Sequence, residues 1–266
     1  HFAFAVACVS LILSIAIYYT FRSTFRHVEG GSKDAGKSSQ KTGSEEISAA
    51  ETKERIIALC LVFAVVIFFW MAFHQNGLTL TMFADEFTAK SSVGLESMAF
   101  DVTNLLLCIF IVYALFSLVQ SKTGKGKAIS ALVIVAIGGL IYKYSTLPES
   151  TAVAAPIFQQ FNPCFVVALT PVSIALFSYL AKKGKEPSAP RKIALGMLVA
   201  AVGFLIMAIG SFGLPSSGEQ ATAMADGTAT LVSPNWLIST YLVLTFGELL
   251  LSPMGISFVS KVAPPK

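Results

Sequence analysis

Glu248 has the greatest capacity for chemistry in this chain: it is one carboxylate near the middle of the run from Pro234 to Lys266, which is long enough to span a membrane. An ionised acid at the centre of a bilayer costs about 2.5–3.5 kcal/mol on insertion scales. That cost is borne where the acid faces a protein-lined or hydrated cavity, pairs with a cation, or takes up a proton. On a helix, Thr245, Ser252 and Gly255 share its face, at offsets of three, four and seven. Pro253 removes an amide just beyond it and frees the carbonyl of Leu249. The run therefore sets a carboxylate, a hydroxyl and a softened backbone at one depth. The simpler alternative is a structural acid bonded to a neighbouring helix.

Two other stretches place polar groups inside apolar runs. In FFWMAFHQNG (68–77) an apolar span turns polar, and Trp70, His74, Gly77 and Thr81 fall on one helical face. His74 is of the residue type suited to proton relay, and serves equally as an interhelical hydrogen-bonding residue. In PIFQQFNPCFVVALTPVSIALFSYL (156–180), Pro163 and Pro171 each remove a donor, and the carbonyls of Gln159 and Val167 are expected to lose their helical partners. Gln159, Gln160 and Asn162 flank the first break. Interrupted helices with polar side chains beside the break are what transport sites are often built from, and a kinked packing helix is the plainer reading.

The remaining motifs are weaker. Gly31–Ser38, GSKDAGKS, fits the phosphate-loop pattern but has no strand before it and no apolar helix after it, so nucleotide binding is not expected. Cys8, Cys60, Cys108 and Cys164 lie singly in four spans, and the three histidines have no metal-ligand spacing. No metal or other cofactor is expected. Asp85, Glu86 and Glu96 read as solvated loop acids.

The elements that position these residues are membrane helices. Of 266 residues, 55% are hydrophobic and 13% charged, which excludes an ordinary water-soluble domain. Seven spans are expected, near 2–22, 56–84, 98–119, 128–146, 156–181, 192–212 and 235–258. All must be helical, because lipid offers no partner to open backbone. Seventeen of the nineteen Lys and Arg fall on connections of one side, leaving Lys90 and Lys143 on the other. The positive-inside rule then puts residue 1 outside and residue 266 in the cytoplasm. The basic residues set orientation and meet anionic lipid; nucleic acid is not expected as a partner.

GGSKDAGKSSQKTGS (30–44) is a flexible linker, and Ser48 with Glu51 reads as a capping box restarting a helix. This divides a first membrane unit ending at residue 22 from a second beginning near 50. The helices of 98–119 and 128–146, joined by KTGKGK, read as a plain hairpin with Asp101 and Lys143 at its outer ends. Gly196, Gly203 and Gly210 favour close packing of the span that carries them. The chain opens inside a hydrophobic helix without an initiator Met, so a piece of a longer protein is expected.

Three strings in order, FFWMAFHQNG (68–77), QQFNPCFVVALTPV (159–172) and FGELLLSPMGISFVSKVAP (246–264), resemble the proton-dependent oligopeptide transporter family of the major facilitator superfamily. The resemblance covers roughly the sixth to tenth family helices. It implies an all-α fold: residues 1–22 as the last helix of an N-terminal bundle, 23–55 as a cytoplasmic linker, and 56–266 as a C-terminal bundle with an inserted hairpin at 98–146. It implies proton-coupled symport of di- and tripeptides across the cytoplasmic membrane, with Glu248 and Asn162 engaging the peptide amino terminus. Ser252 lines the same pocket, with Gln75 and Trp70 nearby, and Glu248 and His74 are the proton-coupling candidates. His74 stands where the family usually has an acid, Leu80 where many members have Trp, and the hairpin follows the seventh helix rather than preceding it. The N-terminal bundle would be this segment's partner in the same protein, and the segment is not expected to transport alone. Two rivals stand beside this reading: a transporter of nitrate, an amino acid or a drug-like solute, and an intramembrane enzyme using Glu248 with His74. Against an enzyme, the chain has no HExxH and no GxSxG.

Overall fold

The structure, a computed structural model, describes residues 2–22, 49–120 and 125–262. The linker run, the phosphate-loop look-alike, Ser48 and residues 122–124 of the hairpin connection lie outside them.

The chain divides into two units, residues 1–53 and 54–266. In the first lies α1 (Phe2–Thr20), an apolar helix whose described side chains are exposed. α2 (Ala49–Phe73) runs into the second unit, which continues with a 3₁₀ turn (His74–Asn76), α3 (Thr79–Phe87), β1 (Ser91–Ser92), the single turn α4 (Leu95–Met98), and the hairpin helices α5 (Val102–Gln120) and α6 (Lys125–Ser145). Then come β2 (Thr151–Ala152), a 3₁₀ segment (Ala155–Gln160), α7 (Phe161–Lys182), α8 (Ala189–Gly210), α9 (Ser217–Ala225) and α10 (Asn235–Val262). The chain is an all-α, multi-span membrane protein: among the described residues five helices are long and apolar enough to cross a bilayer, and Cys8–Thr20 and Ala131–Ser145 form shorter apolar helices.

Two expected spans are built differently from their sequence reading. The run at 56–84 is not one helix: it stops at Phe73, passes through His74–Asn76, and restarts at Thr79. Asn, Gly and Thr are poor helix formers, and a partner rewards the break, since the Tyr241 hydroxyl donates to the Asn76 carbonyl at 2.7 Å. In the run at 156–181, Pro163 lies in the first turn of α7, where its absent amide breaks no helical bond; Pro171 alone is interior.

α8 and α10 form the tightest pair, and the glycines explain it. A Cβ on Gly196 would come within 2.8 Å of the Gly247 carbonyl, and one on Gly247 within 2.8 Å of the Gly196 carbonyl. Seven and fourteen residues further along α8, Gly203 packs against Leu244 and Gly210 against the Trp236 ring. Absent side chains let the backbones approach, the usual device where lipid supplies no hydrophobic drive between helices. The core beside this pair is aromatic: Phe69, Phe73, Phe158, Phe161 and Tyr241 are all buried.

Loops at one end of the helices interlock. The Ala89 amide donates to the Val232 carbonyl at 3.0 Å, and the Val232 amide to the Phe87 carbonyl at 2.8 Å. Ser217 donates to Glu86 at 2.6 Å, and Ser233 donates to Glu96 at 2.9 Å. Glu86 of α3 and Glu96 of α4 thus tether segments far apart in sequence while staying partly exposed, and Asp85 is 76% exposed and paired with Lys90. Lys192 also departs from its reading as a base that meets anionic lipid. It is 4% exposed, ion-paired with Glu186, and seated over the Phe177 ring at 4.2 Å.

Candidate functional site

α10 presents Glu248 two turns beyond Tyr241, on a stripe that includes Thr245. α7 brings Asn162 in its first turn to meet them. The Asn162 side-chain amide donates to Glu248 Oε2 at 3.1 Å and to Thr245 Oγ1 at 3.1 Å. A carboxylate accepts only, so the Asn162 nitrogen is fixed as the atom facing it, which leaves the Asn162 carbonyl oxygen as an acceptor. Thr245 is fully buried, and Asn162 and Glu248 are half-buried. The result is a compact polar node: one carboxylate, one oriented amide and one hydroxyl.

A cation suits this node. A carboxylate oxygen and an amide oxygen can both accept from an ammonium group, and charge-assisted bonds of this kind are shorter and stronger than neutral ones. A protonated carboxyl, by contrast, offers a donor and no net charge. The node therefore has two chemically distinct states, set by one proton.

The other candidates gather elsewhere. Trp70 of α2 and Ser252 and Gly255 of α10 line a separate cavity of about 510 Å³, with Val62, Val66 and Leu251 as its apolar walls. Gln75 is satisfied within its own segment: it donates to the Met71 carbonyl at 3.3 Å and accepts from Thr79 at 2.6 Å. His74 is exposed, with its ring 5.6 Å from that of Trp70 and 6.5 Å from that of Phe73. Thus Glu248 joins Asn162, and Trp70 joins Ser252, while Gln75 and His74 face neither set of partners through a hydrogen bond among the described residues.

Sequence reasoning placed Gln159 beside a helix break, and the structure gives it a partner there. Its amide donates to the Gly77 carbonyl at 3.4 Å and to Thr81 Oγ1 at 3.2 Å, tying the α2–α3 break to the entry of α7. Tyr241, which stabilises the same break, was overlooked. Its signal was available, since it stands seven residues before Glu248 on one helical face. Among the described residues no three His, Cys, Asp or Glu side chains gather as metal ligands would.

Comparison with known proteins bears on this region. Residues 144–266 match the POT family (PTR2). The chain is 29% identical over 189 residues to dipeptide and tripeptide permease B of Salmonella typhimurium, covering 65% of this chain and 36% of that protein. It is 38% identical over 109 residues to the peptide transporter YePEPT of Yersinia enterocolitica, covering 41% of this chain and 19% of the relative. A di-/tripeptide transporter of Lactococcus lactis is 32% identical over 107 residues, 40% of this chain and 19% of its own. The chain thus spans about a third or less of the length of these relatives. No solved structure matches.

Proposed function

Because residues 144–266 are a POT-family segment, we propose that this chain is part of a proton-coupled symporter of di- and tripeptides in the cytoplasmic membrane. Residue 1 would lie outside and residue 266 in the cytoplasm. The peptide's α-ammonium is held by Glu248 and by the Asn162 carbonyl oxygen, groups that suit every short peptide whatever its side chains. Trp70 and Ser252 line the neighbouring cavity and contact the peptide body; Gln75 joins them if the segment after Phe73 turns during the cycle. Protonation of Glu248 removes the charge that holds the ammonium, which links peptide release to proton binding. His74 remains a second proton-coupling candidate. An N-terminal bundle of the same protein closes the other side of the pathway.

The observation that carries this reading is the 3.1 Å bond between Asn162 and Glu248, by which a second helix orients the membrane acid. The test is uptake of a labelled dipeptide by the whole protein across pH 5–8, with Glu248→Gln. Loss of pH-driven uptake with normal membrane insertion is expected. Unchanged uptake at every pH would end the assignment, and absence of dipeptide uptake beside uptake of labelled nitrate or a free amino acid would redirect it to another solute.

A further inference from the structure

Tyr113 of α5 donates its hydroxyl to the Val167 carbonyl of α7 at 3.2 Å. Val167 stands four residues before Pro171, the interior proline of α7, which has no amide to give that carbonyl. Both residues lie on an open face, Tyr113 44% and Val167 43% exposed, and a backbone carbonyl without a partner is costly at membrane depth. In the same turn Thr170 donates to the Val166 carbonyl at 2.6 Å, a back-bond of the kind that often accompanies helix bending.

The hairpin treats the two sides of this point differently. On the Asn162 side it grips the entry of α7 firmly. Phe100 packs edge-on against Phe158 and Phe161, at 5.5 and 5.9 Å, and the Gln160 amide reaches the Ala99 carbonyl at 3.5 Å. Asp101 and Lys143 close the mouth of the hairpin, so that α5 and α6 hold together. On the far side α5 and α7 part around a cavity of about 510 Å³ bounded by Phe116, Ser117, Ile174, Ser178 and Lys182.

We propose that the α5–α6 hairpin is a splint. It fixes the stretch from Phe158 to Val167, and with it Asn162, and leaves the part of α7 beyond Pro171 to swing into the cavity together with the contact it makes to α8, Lys192 over the Phe177 ring at 4.2 Å. Tyr113 is the positioning residue at the pivot, satisfying the carbonyl that the hinge exposes. The swing is a hinge motion of a half-helix, the kind by which a site opens alternately to two sides. Its use in transport rests on the function proposed above; the contact and the motion do not.

The test uses the whole protein and the variants Tyr113→Phe, Pro171→Ala and their combination. Pro171→Ala restores an amide to the Val167 carbonyl. Tyr113→Phe should therefore lower the melting temperature by several degrees where Pro171 is kept, and by under one degree when combined with Pro171→Ala. Equal losses in both backgrounds overturn the pivot. Dipeptide uptake by Tyr113→Phe should show Vmax reduced several-fold with KM unchanged within twofold; normal Vmax with coupled stabilities overturns the link to transport. Spin labels at S117C and S178C, with the native cysteines of the whole protein replaced, read the swing whatever the cargo. Two distances are expected, and a single fixed distance overturns the splint.

Discussion

The Asn162 amide stands 3.1 Å from Glu248 Oε2 and 3.1 Å from Thr245 Oγ1, so one side chain of α7 orients the carboxylate of α10. Asn162→Asp replaces that donor with a second acid beside the first. Two carboxyls at this spacing do not both ionise readily, and the pair retains a proton to higher pH. The pH profile of dipeptide uptake should therefore move upward by about one unit or more. Asn162→Ala removes a donor to a charged group, worth about 1.5–3 kcal/mol, and should weaken dipeptide binding by about tenfold or more. Uptake and binding measured side by side on the whole protein check both; a Thr245→Val variant with the same loss would move the main role to the hydroxyl.

The helices were legible because long apolar runs have one solution in lipid, and Glu248 stood out because an acid in such a run is expensive. Asn162 came from its motif beside a proline, and the structure joins it to Glu248. The grouping of the other candidates was not legible. Trp70 and Gln75 are five residues apart in what reads as one helix, and the break after Phe73 separates their environments. Tyr113 was invisible for another reason: a hydroxyl reaching a backbone carbonyl 54 residues away leaves no periodic trace. The tethering by Glu86 and Glu96 was hidden likewise, because their partners, Ser217 and Ser233, lie more than 130 residues on.

Gly196 and Gly247 hold α8 and α10 together by their lack of side chains. An alanine at either position puts a methyl 2.8 Å from a backbone carbonyl that cannot move without its helix. Gly196→Ala or Gly247→Ala should cost about 1–3 kcal/mol, the usual penalty of overpacking. Gly218→Ala is the control, since nothing lies within 4 Å of the added methyl. Thermal unfolding in detergent should separate the two classes, and equal melting temperatures would contradict the packing described.

Lys192 is buried and its partner Glu186 is partly open, with 5% and 42% of their side chains exposed. Glu186→Gln leaves a cation with the Phe177 ring as its remaining close partner. Breaking a fully buried pair costs about 3–5 kcal/mol, and the openness of Glu186 puts this case at or below the lower end. Lys192→Met keeps the apolar stem and removes the charge, so it should be the milder change. The ordering, Glu186→Gln below Lys192→Met in melting temperature, is the prediction. The reverse order would mean that the ion pair is dispensable and the stem is not.

Asp101 works at the mouth of the hairpin with both oxygens. One accepts from Lys143, and the other accepts the Thr103 amide at 2.7 Å, capping α5. The hydrogen bond from Lys143 is the main cause that holds its carboxyl below the usual carboxylate range, the Thr103 amide adds to it, and partial burial opposes both. A carboxyl whose folded value is depressed stabilises the fold above its unfolded value, about 3.9, and loses that stabilisation as pH falls through the folded value. The hairpin should therefore be indifferent to pH between 5 and 8 and loosen only in stronger acid. Because Asp101 is 39% exposed, the pair is worth at most about 1 kcal/mol. Asp101→Asn should lower stability by about that amount at pH 7 and remove the hairpin's acid sensitivity. Hydrogen-exchange protection of the Thr103–Leu105 amides at pH 7, in the unmodified chain and in Asp101→Asn, reads this directly, and protection that is equal in the two would show that the pair does not close the hairpin.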